Sequence, residues 1–131
     1  MPTERVAARG AAGADDWVRD ARSYAVAWGL PSGVFLAAAL APAPARTALW
    51  VACLAWMGVA CLANARRCGR VHCHFTGPFF LLMALAIALD AGGVLALGAQ
   101  GWRWLGVLTV LGAAALWVAS ERRWGVYRAR R

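Results

Sequence analysis

Uncharged, apolar stretches alternate with short arginine-bearing ones along this chain, and that alternation predicts its elements. No charged residue lies between Tyr24 and Ala45. Arg46 interrupts, and Thr47 to Ala65 is again uncharged. Arg66, Arg67 and Arg70 end that run. Phe75 to Gln100 carries Asp90 as its one charge, and Trp104 to Ser120 carries none. A hydrocarbon core about 30 Å thick takes about 20 apolar helical residues. The pattern therefore predicts four transmembrane helices, at about 24–43, 47–65, 78–98 and 102–120. No stretch alternates with a period of two, and each run is too long for a usual strand, so a β-barrel is not expected. The predicted fold class is all-α, an integral membrane four-helix bundle. A polar segment, 1–23, precedes it and reads as disordered or as an interfacial helix with Trp17 at the surface. A basic tail, 121–131, follows it.

Composition supports this reading. Hydrophobic residues make up 62% of the 131 residues and charged ones 15%, with a mean hydropathy of +0.55. A soluble domain is about half apolar and about a quarter charged. Four apolar runs in so short a chain leave too little polar sequence to cover them. An ordinary soluble globule, a disordered acidic tail and a collagen-like chain are all excluded. The first run is expected to stay in the mature protein. Its leader is long and holds Glu4, Asp15, Asp16 and Asp20, unlike a cleaved signal. Pro31 suits the first turn of that helix, and Pro42 and Pro44 mark its exit.

The formal charge of +8 then takes on a meaning. All fourteen basic residues are arginine. With four spans, the N-terminal segment, the middle loop and the C-terminal tail share one side, with four, three and five arginines; the other side has Arg46 and Arg103. Cytoplasmic segments are the arginine-rich ones. Both termini and the middle loop are thus expected in the cytoplasm, in a multi-pass protein of the cell inner membrane. Trp50, Trp102 and Trp104 fall near the predicted outer ends, and Trp28, Trp117 and Trp124 near the inner ones, as interfacial indoles do. Trp56 is expected to pack within the second helix. Orientation accounts for the basic charge, and no DNA-reading motif accompanies it, so nucleic acid is not an expected partner.

The 66–76 loop carries the candidate chemistry. Cys68, His72, Cys73 and His74 lie within seven residues, Cys61 is shortly before them, and Cys53 stands eight residues before Cys61. Thiols and imidazoles are ligands of Zn(II), Cu(I) and Hg(II). In reducing cytoplasm a permanent disulfide between Cys68 and Cys73 is disfavoured. Two arrangements remain open: two sulfurs, Cys68 and Cys73, for a soft ion, or a four-position site completed by His72 and His74. Gly69 supplies a turn between Cys68 and the rest. If 72–74 is extended, Cys73 points away from both histidines. Arg66, Arg67 and Arg70 favour the thiolate. Cys61, Asn64 and Cys68 share one helical face if the second helix reaches Cys68, with the two cysteines about 10 Å apart along the axis. Asp90 is the one intramembrane charge, about 18 Å in from Pro78, at a depth like that of Cys53. Cys53, Cys61, Asn64 and Asp90 are therefore relay candidates. Thr76 or Gly77 is expected to cap the third helix, with Pro78 in its first turn.

A few small helices, cysteines within a helix and a second pair on the cytoplasmic face together resemble the small bacterial mercury-resistance membrane transporters. The matching positions are Cys53 and Cys61, then Cys68 and Cys73. The resemblance covers 53–78 and the general architecture, and this first helix lacks the neighbouring cysteines usual in that group. It implies passage of Hg(II) from membrane thiols to cytoplasmic ones. The expected function is binding or translocation of a soft or borderline metal ion, Hg, Cu or Zn, with no catalytic motif and no enzyme activity. The alternatives are an accessory subunit of a larger membrane complex and, more weakly, a membrane thiol oxidoreductase. The expected partners are the lipid bilayer and either a second copy or that larger complex.

Overall fold

The computed structural model describes residues 3, 4, 6, 7 and 13–128. The parts of the 1–23 and 121–131 segments outside those residues, with Arg5, Arg9, Arg130 and Arg131, lie outside the described residues. The regular elements among the described residues are helices, with no strand. Helix α1 covers 21–38. It comprises Ala21–Tyr24, a widened π-type turn at Ala25–Gly29, and Leu30–Ala38. The Asp20 carboxylate starts it by accepting the Ser23 N–H at 2.8 Å. Helix α2 is Ala43–Cys68, α3 is Val71–Ala91 and α4 is Gly101–Trp124. The last three are long and apolar enough to cross a membrane.

Several boundaries differ from the expected ones, and proline is the main reason. Pro42 and Pro44 do not merely end α1. Pro42 precedes the first residue of α2 and Pro44 occupies its first turn, where a missing N–H costs no hydrogen bond. Pro78 sits seven residues inside α3 instead of opening it. Thr76 and Gly77 are accordingly interior residues and not caps, and the Thr76 hydroxyl lies 3.0 Å from the His72 carbonyl. The 66–76 loop shrinks to Gly69 and Arg70. Gly69 takes φ 71° at the end of α2, and a side chain there would meet the Arg128 carbonyl oxygen at 3.2 Å.

Neighbours in sequence are neighbours in space. Helix α2 packs on α1 and α3, and α3 on α4; among the described residues α1 and α4 do not pack together. The α2–α3 contact is close because it is made by glycines. A Cβ on Gly58 would lie 2.8 Å from Leu81 Cδ2, and one on Gly77 would lie 2.9 Å from Leu62 Cγ and 3.3 Å from Cys61 Cβ. Near the 39–42 turn, Trp50 stacks on Phe35 at 4.6 Å and donates to its carbonyl at 2.7 Å. Arg46 covers Trp102 there, 3.9 Å from the ring centroid. Trp56 is 56% exposed, contrary to its expected packing, with its indole N–H on the Val26 carbonyl. Leu108, Leu111 and Trp104 of α4 also face outward.

Segment 13–20, the Gly69–Arg70 turn and the 125–128 tail meet at the opposite end. Val71 N–H donates to the Val126 carbonyl at 2.9 Å, and Arg128 N–H to the Gly69 carbonyl at 2.8 Å. The polar segment is thus folded onto the helix ends at residues 13–20, with Trp17 half-buried.

Candidate functional site

Antiparallel α2 and α3 bring two thiols together at their glycine-tight interface. Cys73 and Gly77 are four residues apart, so they share the face that α3 turns to α2. Gly77 lies level with Cys61, and Cys73 lies one turn nearer the Gly69–Arg70 end. There the Cys61 and Cys73 thiols adjoin across the interface: Thr76, three residues after Cys73, reaches Cys61 Sγ at 3.4 Å, and Asn64, three residues after Cys61, reaches Cys73 Sγ at 3.7 Å. Cys73 is fully buried and Cys61 is 1% exposed.

Polar hydrogens surround both sulfurs. The Trp28 indole N–H points at Cys61 Sγ from 3.2 Å. Trp28 lies in the widened turn of α1, a kind of distortion often found at working sites. Thr76 Oγ1 lies 3.4 Å from the same sulfur; its single proton is shared between that sulfur and the nearer His72 carbonyl. Cys73 Sγ receives the Asn64 amide at 3.7 Å. Donors aimed at sulfur stabilise a thiolate, the form that binds soft ions.

A second chain of contacts reaches Cys73 from α4. His72 Nδ1 is 2.7 Å from Glu121 Oε1, and its ring stacks on Trp117 with centroids 4.3 Å apart. Because Nδ1 donates to the carboxylate, it cannot also accept from Arg70 Nε at 3.3 Å. Arg70 instead bonds Glu121 at 3.2 Å. His72 Nε2 is left as an acceptor, 3.5 Å from Cys73 Sγ.

Above the thiols lies a buried polar cap. Asp16 is 2% exposed. Its Oδ1 accepts from the Asn64 amide at 2.9 Å and from Val18 N–H at 3.0 Å. Its Oδ2 accepts from the Arg70 guanidinium and from the Tyr127 hydroxyl at 2.9 Å. Asn64, wholly buried, also accepts the Trp17 N–H at 3.0 Å. Burial disfavours the Asp16 charge, but the donors from Asn64, Arg70, Val18 and Tyr127 outweigh it and hold the carboxyl below its ordinary value. Every buried side-chain nitrogen and oxygen among the described residues has a partner.

The expected loop site is rearranged by this geometry. In a helix, successive side chains are turned by about 100°, so His72 and His74 diverge. His72 is held by Glu121 and Trp117, and His74 is half-buried at a different angle. The Cys68 thiol, 1% exposed, donates to the Asn64 carbonyl of its own helix at 3.1 Å. No three or more His, Cys, Asp or Glu among the described residues are grouped to hold a metal ion. The four-position arrangement of Cys68, His72, Cys73 and His74 is therefore not assembled. Among the relay candidates, Cys61 and Asn64 join Cys73. Cys53 is buried two turns further along α2, about 12 Å from Cys61 along the axis. Asp90 stands one residue before the end of α3 and accepts from Leu97 N–H at 3.4 Å, so it serves the 92–100 connection and is not deep in a span. Trp28, Asp16, Glu121 and Tyr127 join the site without any spacing signal in the sequence.

No family model, curated protein or solved structure matches the chain.

Proposed function

We propose that this chain is a small multi-pass protein of the inner membrane that binds a soft metal ion between Cys61 and Cys73 and passes it across or along the membrane. The observation that carries the reading is the placing of these two buried thiols at one helix interface, each with an N–H donor aimed at its sulfur. Two sulfurs suit Hg(II) or Cu(I); Zn(II) takes four ligands and is less well served. This retains the soft-ion function and the resemblance to mercury-resistance transporters, with Cys61 replacing Cys68 as partner of Cys73.

The four-span reading with both termini cytoplasmic goes with it. Eighteen residues of α1 extend about 27 Å, close to a hydrocarbon thickness. The end where 13–20, Arg70 and Tyr127 meet is also the arginine-rich end. The thiol pair then lies near the cytoplasmic face, where it stays reduced.

The test is titration of the purified protein with Hg(II), and with Cu(I) under reductant, following sulfur-to-metal absorbance. One ion per chain is expected. Cys61→Ser and Cys73→Ser each lose it, while Cys53→Ser and Cys68→Ser keep it. Equal uptake by wild type and the Cys61→Ser/Cys73→Ser double variant overturns the reading.

A further inference from the structure

We infer that segment 13–20 and the 125–128 tail form a latch over the thiol pair, which must open before Cys61 and Cys73 can exchange an ion with the cytoplasm. The inference concerns access to the site and rests on the reading of that pair as the ion-binding site.

Three separate parts of the chain converge on one carboxylate. Asp16 comes from the N-terminal segment, Arg70 from the α2–α3 turn and Tyr127 from the tail. The two backbone bonds between 69–71 and 126–128 hold the tail down. Beneath lies Asn64, which spends one amide hydrogen on Asp16 and the other on Cys73. The latch and the thiols thus share a residue, with no intervening layer.

Latch and helices differ in kind. The helices are held by long apolar faces and glycine-close packing. The latch is a short segment whose Trp17 and Val18 pack against the edge of the core; otherwise it is held by hydrogen bonds centred on Asp16 and Asn64 and by two backbone bonds, a small contact set that opens locally while the rest stays folded. When Asp16 and Trp17 withdraw, Asn64 loses its Oδ1 donor and one acceptor, and the Cys73 sulfur loses its cover. Asn64 therefore acts as a positioning residue. A bound ion that fixes Cys73 also fixes the Asn64 amide that Asp16 needs, so loading and closing favour each other.

The test uses full-length, metal-free protein in detergent, with Cys53 and Cys68 changed to Ser. The readout is the rate of modification by a bulky, water-soluble maleimide. Asp16→Asn and Tyr127→Phe should each raise the rate at least tenfold. Amide exchange of the parent protein provides a reading that needs no latch variant. Trp17 and Arg128 N–H should exchange together, and at least a hundredfold faster than amides in the middle of α2. Equal maleimide rates in all three proteins, or Trp17 protected as strongly as α2, overturns the latch. Both readouts are free of metal. Gated thiols in a protein that takes up no Hg(II) leave the latch standing and remove the ion-binding reading. Tight Hg(II) binding with ungated thiols does the reverse.

Discussion

Trp28 donates its indole N–H to Cys61 across the α1–α2 interface, 3.2 Å from nitrogen to sulfur. A hydrogen bond to a charged group is worth about 1.5–3 kcal/mol, and it stabilises an ion-bearing thiolate more than a neutral thiol. Trp28→Phe keeps the aromatic bulk and removes the donor. Its affinity for Hg(II) or Cu(I) should fall about tenfold with helical content unchanged. Competition titration against a soluble dithiol, alongside circular dichroism, measures both. An unchanged affinity would mean that Cys61 is not a ligand or that the indole bond is immaterial to it.

The Asp16–Arg70 pair should behave as a buried ion pair does. Removing one partner strands the other charge, which costs about 3–5 kcal/mol, whereas replacing both with apolar groups is often close to neutral. Asp16→Leu or Arg70→Met alone should destabilise the end of the molecule that carries the latch. The double variant should recover much of that loss. Denaturant unfolding of the four proteins gives the coupling energy directly, and additive single effects would contradict the pairing.

Acid should open the latch, and the sign follows from Asp16. Its carboxyl titrates below the ordinary 3.8 in the folded protein. The charged form therefore contributes stability that is fully present above about pH 3.8 and lost as pH falls through the lower folded value. Arg70 keeps its charge throughout: burial opposes it, but Asp16 and Glu121 raise its already high value. Exchange at the Trp17 N–H should be flat from pH 5 to 8, after correction for intrinsic rates, and should rise steeply below 3.8. Asp16→Asn should remove that rise while leaving other acid effects in place.

Topology makes a direct prediction. The described N-terminal segment and the tail touch each other through Asp16 and Tyr127, and the proposed four-span reading puts the two ends on one side of the membrane. Reporters fused before Met1 and after Arg131 should both be active only in the cytoplasm, and one inserted near Gly98 only outside. Opposite locations for the two ends would reduce the spans to α2, α3 and α4.

Helices and their apolar runs were legible in the sequence because hydrocarbon thickness sets a length that charge interruptions delimit. The cysteines were legible as chemistry, but their pairing was not. Taking Pro78 as the first turn of a helix assigned Cys73 to a loop and Asp90 to mid-membrane. An interior proline is tolerated in such a helix because neighbouring groups re-satisfy the freed backbone, and α3 starts seven residues earlier. With that start, Cys73 and Gly77 share a face and Cys61 becomes the partner of Cys73. Asp16 and Tyr127 lie 111 residues apart, and no local pattern connects them.

Gly77 tests whether the site depends on helix proximity. A Cβ there would press on Leu62 Cγ at 2.9 Å and Cys61 Cβ at 3.3 Å. Gly77→Ala should push α3 from α2 by a few tenths of an ångström; Gly77→Val should do so further, with overpacking costs of about 1–3 kcal/mol. Two-sulfur coordination needs both thiols on one ion, so affinity should fall in the order wild type, Gly77→Ala, Gly77→Val. Gly112→Ala is the control. It crowds Phe79 at the α3–α4 contact, where the added Cβ would lie 2.5 Å from Cζ, and touches neither cysteine. It should lower thermal stability by a comparable amount while Hg(II) titration still reports one tightly held ion. Equal losses of affinity in the Gly77 and Gly112 variants would indicate that general destabilisation, and not the spacing of Cys61 and Cys73, limits binding.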